Sequence, residues 1–240
     1  MKAAILIDGG YLLRRLPSVR KDLDPKDPEA VNQAVGQLVS RHLYKLNKTA
    51  QAPNQNALLY RCFFYDARPY MEKGHLPVSR RSIDYARSDE ARFRLDLFDR
   101  LRRRPNFAVR LGEVRRERGW VLNEPAQKAL LAGKRSVPDL TDSDFTPGFR
   151  QKAVDMRIGI DIASLALKHQ VDTIVLVAGD SDFVPAAKLA RREGVKIVLD
   201  PLWRNVAPEL FEHIDGLRSG FNNPDLAEGR EEETDLDQQR

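Results

Sequence analysis

The chain has 240 residues, a formal net charge of +5, 42% hydrophobic residues and a single cysteine. This length and composition allow one large domain with a sizeable core, and the lone cysteine excludes an internal disulfide, so a reducing cytoplasm is the expected location. The apolar run at the amino terminus is too short for a signal peptide, and no segment reaches the ~20 apolar residues of a membrane span. We therefore expect a cytoplasmic protein without a membrane partner.

The charge is unevenly distributed along the chain. Residues 228–240 hold six acids and two arginines, so the remaining chain carries a net charge of about +9. From residue 222 onward the sequence is rich in Asn, Gly, Glu and Asp and poor in apolar residues, and we predict an acidic disordered tail over 222–240. A basic body favours anionic partners, nucleic acid above all.

Apolar runs and amphipathic segments alternate through most of the chain. Short apolar runs predict strands at 3–7, 58–65, 107–111, 120–123, 173–178, 195–199 and 214–217. Apolar residues at helical spacing predict helices at 29–46, 88–103, 151–169, 184–193 and 205–213. The stretches around 66–88 and 112–147 are predicted to be an insertion or lid. The alternation predicts one three-layer α/β domain over 1–221, with a mainly parallel central sheet and helices on both faces.

The stretch 173–185 joins a buried strand to two acids. Residues 173–178 are almost all apolar, and the run stops at Gly179, just before Asp180 and Asp182. Ligands bind at the carboxyl ends of strands in open α/β sheets, so these acids are candidate ligands of a hard cation. The alternative is a strand–helix turn in which Asp182 only caps the next helix.

Further acids are expected at the same edge of the sheet. Asp8 follows the first predicted strand, and Asp66 follows the second. Asp155 lies in the first turn of a helix that feeds a parallel strand, and a right-handed crossover starts such a helix at the carboxyl edge. We therefore expect Asp8, Asp155 and Asp180 to lie together, with Asp182 as a fourth member.

Arginine is concentrated between residues 80 and 118, where thirteen arginines accompany seven acids. Aromatic side chains nearby are suited to stack on bases. We interpret this region as a phosphate-contacting face, and a solvated surface is the alternative explanation for so many charges. The residues expected to contact nucleic acid are Arg80, Arg81, Arg115, Arg116 and Arg118.

The four predicted carboxylates would repel one another and take up protons unless a divalent cation neutralised them. Oxygen ligands suit Mg²⁺ or Mn²⁺, and no cluster of His or Cys in the sequence favours zinc. Such a cation polarises a phosphoryl oxygen and activates water for in-line attack. With the basic body, this set predicts metal-dependent hydrolysis of phosphodiester bonds in a nucleic acid.

Three motifs, in this order and spacing, carry a resemblance to a known family. They are IDGGY at 7–11, QKAVD at 151–155 followed by Asp161, and AGDSDFVP at 178–185. They resemble the NYN domain of the PIN-like nuclease superfamily, and its LabA-like bacterial branch in particular. The resemblance extends over about residues 2–217, with a looser middle, and implies a PIN-like, Rossmannoid fold.

The resemblance also implies an activity and a set of site residues. The activity is that of a metal-dependent ribonuclease, with Asp8, Asp155 and Asp180 as metal ligands and Asp182 as a ligand or a group that orients the attacking water. The supporting residues are Asp161, Ser181 and Lys152, the last placed to contact a phosphate or to pair with the acids. The sequence departs from the family in two places. Many members have Asn where this chain has Gly10 or Tyr11, and Ala153 replaces the family's common Gly.

Two functions from different classes remain open. The first is a Mg²⁺- or Mn²⁺-dependent endoribonuclease, and the second is a nucleic-acid-binding regulatory protein on the same fold with little or no cleavage activity. A phosphatase of the haloacid-dehalogenase type is disfavoured, because its second Asp would stand at Gly10. RNA is the expected partner; DNA as a further substrate, the number of metal ions and the oligomeric state, including a homodimer, stay open.

Overall fold

The computed structural model describes residues 1–225 and has nine strands and seven α-helices within that range. The strands are β1 Ala3–Asp8, β2 Leu59–Arg68, β3 Lys73–His75, β4 Ser82–Asp84, β5 Phe107–Leu122, β6 Phe145–Lys152, β7 Thr173–Val177, β8 Lys196–Asp200 and β9 Gly216–Leu217. The helices are α1 Gly9–Val19, α2 Pro28–Ala50, α3 Asp89–Arg102, α4 Glu124–Leu131, α5 Val154–Leu167, α6 Val184–Arg192 and α7 Pro208–Phe211. The predicted acidic tail lies outside the described residues except for 222–225.

Seven strands form one sheet in the order β6-β5-β2-β1-β7-β8-β9, while β3 and β4 form a separate hairpin. All neighbours in the large sheet are parallel except β6, which is antiparallel to β5. Every residue of β1 and β7 is buried, which explains why these strands lack polar alternation. The prediction of a mainly parallel α/β sheet is confirmed.

Helices cover both faces of the sheet. On one face, Leu12 of α1 and Leu38 of α2 pack with β1 and β7 in one apolar core. On the other face, Ile158 of α5 and Ala187 of α6 pack with the opposite side of the same strands. Burying one such Leu or Ile side chain stabilises the fold by about 1.5–3 kcal/mol. The sheet and its two helical layers give the three layers that the sequence predicts.

The strand order reverses between β1 and β7. From β1 the chain moves to β2 and then outward to β5, and it later returns to place β7 on the other side of β1. In open α/β sheets such a reversal leaves a crevice at the carboxyl ends of the strands, and ligands bind there. Asp8 ends β1, and Asp180 follows β7, so both acids flank this crevice.

The outer part of the sheet differs from the prediction. Residues 107–111 and 120–122 are strand as predicted, but the basic turn predicted between them is wrong, because β5 runs without interruption from Phe107 to Leu122. Pairing with β6 supplies the hydrogen bonds of its outer half, and the charged side chains remain exposed, so they do not end the strand. The predicted helix at 151–169 begins later, since residues 151–152 belong to β6.

We call residues 69–88 and 113–152 the arm. Glu113 is the last residue of β5 that pairs with β2. In the arm β5 continues for nine more residues, and this extension is about 30 Å long. The indole of Trp120 donates a 2.9 Å hydrogen bond to the carbonyl of His75 and so ties the β3–β4 hairpin to β5. The arm therefore extends from the carboxyl edge of the sheet, beside the crevice. Within residues 1–225, no helix has the length and apolar character needed to cross a membrane.

Candidate metal and phosphodiester site

Asp8 marks the junction between β1 and α1. Its carboxylate caps α1 by accepting a 2.9 Å hydrogen bond from the backbone N–H of Tyr11. The next residue must be small, because a Cβ on Gly9 would lie 2.5 Å from the ring of Phe64 and 2.6 Å from the carbonyl of Tyr65. This close approach holds the start of α1 against β2 and fixes Asp8 at the crevice.

The environment of Asp8 disfavours its charged form. The side chain is only 9% exposed, and burial is the main cause that raises its pKa to about 6. The backbone N–H of Tyr11 and the charge of Arg14 lower the pKa, whereas the charges of Asp155 and Asp66 raise it. Asp8 is therefore electrostatically coupled to acids from two other elements.

Asp155 lies in the first turn of α5, as predicted. Burial raises its pKa first, and the charges of Asp180 and Asp182 raise it further, while Arg14 lowers it. The residue that precedes the helix, Ala153, has φ 65°, a left-handed conformation that favours glycine. This turn ends β6 and directs Asp155 to the crevice, which gives the family's common Gly at this position a physical reason.

Asp180 and Asp182 follow β7 in a short 3₁₀ turn, Ser181–Phe183, and both are exposed. Asp180 caps this turn by accepting a 3.1 Å hydrogen bond from the backbone N–H of Asp182. The alternative in which Asp182 caps the next helix is wrong, because α6 begins at Val184 without a side-chain cap. Asp182 and Ser181 thus have exposed side chains beside the crevice.

Tyr11 joins the loops after β7 and β8. A Cβ on Gly179 would lie 2.5 Å from the Tyr11 ring, so a glycine is needed for this contact. The Tyr11 hydroxyl donates a 2.5 Å hydrogen bond to the carbonyl of Pro201, and the ring is 5% exposed. Tyr11 therefore has a packing role, and it is one of the two positions, with Gly10, at which the resemblance leads us to expect Asn.

The predicted acids reach one edge of the sheet without forming a closed cage. Asp155 is coupled to Asp8 on one side and to Asp180 and Asp182 on the other. Among residues 1–225, no three His, Cys, Asp or Glu side chains lie close enough together to hold one metal ion. The oxygen donors and their repulsion fit a hydrated divalent cation such as Mg²⁺, which binds through one or two carboxylates and keeps several waters.

Arg14 is a site residue that sequence reasoning missed. The point where a Cβ on Gly10 would lie is 3.4 Å from Arg14 Nη1, 3.4 Å from Asp8 Oδ1 and 3.6 Å from Gln151 Oε1. Arg14 lies one helical turn after Gly10 and reaches past it, since the glycine has no side chain. Its charge acts on Asp8 and Asp155 alike, and its only signal in the sequence is the i, i+4 spacing from Gly10.

Two of the supporting residues have partners away from the four acids. Asp161 accepts a 2.8 Å hydrogen bond from the Tyr65 hydroxyl and forms a 3.3 Å ion pair with Arg110. Lys152 pairs with Glu117 across the β5–β6 ladder. Asp161 thus has the partner that its position beside the apolar stripe requires, and it fastens α5 to β2 and β5.

The five predicted nucleic-acid contacts all lie on the arm and are exposed. Arg80 and Arg81 lie in the loop between β3 and β4, and Arg118 lies in the outer half of β5. Arg115 is held by a 2.8 Å ion pair with Glu113, whereas the guanidinium of Arg116 lies 5.9 Å from the centre of the Trp120 ring. The charges thus divide between an ion-paired face and an aromatic face of β5.

Asp66 is a second acid at the end of a strand, and it is fully buried. Both of its oxygens lie 2.5 Å from Arg94 Nη1 of α3. Burial raises its pKa, although the Arg94 charge acts in the opposite direction. Asp66 joins α3 to β2 and contributes negative charge behind Asp8.

Asp200 forms a buried polar cluster at the end of β8 that sequence reasoning missed. Its carboxylate is 2.8 Å from His42 Nε2 and accepts hydrogen bonds from the Leu202 N–H (2.8 Å), the Ser219 hydroxyl (2.9 Å) and the Gly220 N–H (2.8 Å). These bonds hold two consecutive left-handed residues, 202 and 203, in place. The cluster fixes the loop on which Tyr11 rests.

The comparisons with known proteins agree with this architecture. The family model of the NYN domain matches residues 100–214, slightly less than half of the chain, and this range contains Asp155, Asp180 and Asp182. The match supports the NYN family, and the three-layer α/β fold is consistent with a PIN-like NYN fold. An uncharacterised protein of Methanocaldococcus jannaschii is 26% identical over 90 residues, which cover 38% of this chain and 38% of that relative. No solved structure matches the chain.

Proposed function

We propose that this protein is a NYN-family endoribonuclease that hydrolyses RNA phosphodiester bonds with Mg²⁺ or Mn²⁺. The observation that supports this proposal is that Asp8, Asp155 and Asp180 lie along one edge of the sheet at its strand-order reversal, where Asp155 is electrostatically coupled to Asp8 and to Asp180. These acids come from three elements, and capping alone gives no reason for them to share one edge. A basic arm beside them suits a polyanionic substrate.

The carboxylates and a divalent cation would share the work of the reaction. A divalent cation would be held through one or two of Asp8, Asp155 and Asp180 and through water, and it would lower the pKa of a bound water and stabilise charge on the phosphate. Asp182 is exposed beside Asp180 and orients the attacking water or contributes a further ligand. Arg14 binds a non-bridging phosphate oxygen, because its guanidinium lies beside Asp8 and has no ion pair within residues 1–225.

The second candidate is a nucleic-acid-binding regulatory protein with little or no cleavage. Two observations favour it: no three acids converge on one metal position among residues 1–225, and Tyr11 is buried instead of presenting a polar group to substrate. Both candidates include RNA binding on the arm. The LabA-like branch and the cytoplasmic location belong to the proposal and rest on the sequence motifs and the single cysteine.

The purified protein and labelled single-stranded RNA separate the two candidates. The wild-type protein and Asp180→Asn are each incubated with RNA in Mn²⁺, in Mg²⁺ or in chelator. We expect metal-dependent cleavage that Asp180→Asn lowers by at least about 100-fold, since a metal ligand is lost. Cleavage that persists in Asp180→Asn points to a contaminating nuclease. Binding without cleavage, which weakens steeply with salt, establishes the regulator. The absence of both binding and cleavage overturns both candidates.

A further inference from the structure

A cleft of about 540 Å³ lies where the arm joins the sheet. It separates the segment after β2 from the outer half of β5, and its lining includes Arg68, Tyr70, Met71, Glu113, Arg115 and Arg116. β2 ends at Arg68, so from Val114 onward the side of β5 that faces the cleft has no strand partner within residues 1–225. The cleft therefore offers free backbone N–H and C=O groups together with side chains of mixed chemistry.

The cleft opens at the same edge of the sheet as the candidate metal site. Asp8 is level with Tyr65 in the β1–β2 register, and Arg68 lies three residues further along β2, which is about 10 Å. Glu113 is the register partner of Arg68 on one side and of Lys152 on the other. A strand of nucleic acid that crosses the site can therefore enter the cleft within a few nucleotides.

The lining of the cleft combines an apolar platform with unpaired cations. The Tyr70 ring is supported from behind by Phe149 at 4.6 Å and by Tyr85 at 5.3 Å between ring centres. Met71 is 45% exposed beside it. Arg68 forms no ion pair within residues 1–225, in contrast to Arg115, which pairs with Glu113. A supported aromatic ring, an exposed thioether and free guanidinium groups are suited to an unstacked base and its phosphate.

We propose that this cleft is a subsite for one base and the adjacent phosphate of single-stranded RNA, next to the bond that is cleaved. The inference rests on the proposed function and deepens it by assigning the contacts to one base and one phosphate of the substrate to the residues that line this cleft. A base paired in a duplex stays in its stack and cannot turn into the cleft, so the subsite discriminates against double-stranded RNA. The lining holds three arginines against two acids, Glu72 and Glu113, and this net positive charge and the continuity with the metal site favour nucleic acid over a peptide strand on the β5 edge.

The test measures binding separately from cleavage. The Asp180→Asn protein in chelator is titrated with a labelled single-stranded RNA oligonucleotide and with a blunt duplex of the same sequence. The double substitution Arg68→Ala/Met71→Ala, the cleft pair, is then introduced into the Asp180→Asn protein. Both side chains are exposed. Circular dichroism and thermal unfolding check that the variant folds. The matched control is Arg192→Ala/Leu167→Ala, which removes one exposed arginine and one exposed apolar residue at the opposite edge of the sheet.

We expect the cleft pair to lower single-strand affinity by about tenfold and to leave duplex affinity within about twofold, while the control changes neither. Oligonucleotides that carry one 4-thiouridine are expected to crosslink to the segment 68–72. If the cleft pair leaves the single-strand affinity unchanged, the inference is overturned and the proposed function still stands. A cleft that binds a peptide instead of RNA would give this result. Equal losses for single strand and duplex also overturn it. If the parent protein binds no nucleic acid, the proposed function fails and the subsite with it.

Discussion

The charge of Asp155, at the start of α5, raises the pKa of Asp8, which ends β1. The two residues are distant in the chain and belong to elements on opposite faces of the sheet, since α1 covers one face and α5 the other. Folding therefore brings like charges together at the crevice against their mutual repulsion. A protein maintains such an arrangement at a net cost in stability, and a bound cation is the simplest way to offset that cost.

We expect the stability cost of Asp8 to depend on pH. Below about pH 4 the group is protonated in both the folded and the unfolded chain. Between about pH 4 and 6 the unfolded chain ionises while folded Asp8, with its pKa of about 6, keeps its proton, so stability falls as pH rises. Asp8→Asn retains an acceptor that caps α1 but has no charge. The free energy of unfolding of Asp8→Asn relative to wild type therefore rises by up to about 3 kcal/mol between pH 4 and 7.

Denaturant unfolding in chelator across this pH range measures the difference. A control is Asp22→Asn, because Asp22 is exposed and its ion pair with Arg20 holds its pKa below the ordinary value, so its contribution does not fall as pH rises. A relative stability of Asp8→Asn that stays constant from pH 4 to 7 contradicts the coupling of Asp8 to its surroundings. Adding Mn²⁺ at pH 7 is expected to stabilise wild type more than Asp8→Asn.

Arg14→Ala is expected to lower kcat/KM for RNA about 10- to 100-fold, because it removes a charge-assisted hydrogen bond to phosphate. In an Asp180→Asn background with chelator, it is also expected to weaken RNA binding and to reduce the slope of log K against log salt by about 1. Arg14→Lys restores part of the affinity, since lysine supplies the charge without the planar fork. The control is Arg192→Ala, which removes a distant arginine. If Arg14→Ala changes the RNA affinity and the salt slope no more than this control does, Arg14 does not contact phosphate.

The acids of the site could be predicted from the sequence because each follows a rule about strand ends. Asp8 and Asp180 come after apolar runs, and Asp155 opens a helix whose crossover has a fixed hand. Arg14 follows no such rule, and the rule does not indicate that Asp200, although it ends β8, is buried in a polar cluster away from the crevice. Arg14 reaches the site because Gly10 leaves space above it, and Asp200 is buried by a loop from the far end of the described chain. Contacts of this kind depend on packing between distant segments.

The sequence predicts the buried strands correctly, but it does not predict the full extent of the exposed one. β1 and β7 are continuous apolar runs, whereas the outer half of β5 has alternating charges that also suit a turn. Its strand conformation depends on the pairing with β6, which no local pattern indicates. The sequence predicts a start of α5 at residue 151, which is too early, because the left-handed turn before the helix is made by Ala153, a residue type that rarely adopts this conformation.

Two substitutions in and before α5 test how the backbone conformation of Gly and Ala affects stability. Ala153→Gly removes the left-handed strain and is expected to raise the free energy of unfolding by up to about 1 kcal/mol. Gly159→Ala, in the middle of α5 where nothing lies within 4 Å of the new Cβ, is expected to stabilise by about 0.5–1 kcal/mol. Thermal or denaturant unfolding measures both. Destabilisation by Ala153→Gly contradicts the assigned backbone conformation.

Asp200→Asn tests the buried cluster behind the site. Each Asp200 oxygen accepts two hydrogen bonds, one pair from His42 and Gly220 and the other from Ser219 and Leu202. An amide has only one oxygen, so its NH₂ group must face a backbone N–H donor, that of Gly220 or that of Leu202, whichever way it turns. We expect a loss of about 3–5 kcal/mol in the free energy of unfolding, the cost of breaking a buried, fully partnered charge.

The loop held by Asp200 also carries the carbonyl of Pro201 that Tyr11 contacts, so the effect is expected to reach the crevice. In hydrogen exchange, Asp200→Asn should increase exchange in residues 200–204 and at the start of α1. Tyr11→Phe is the matched control, because it removes only the bond to Pro201 and should cost about 1 kcal/mol. If Asp200→Asn destabilises the chain no more than Tyr11→Phe does, the cluster has no special part in fixing the loop.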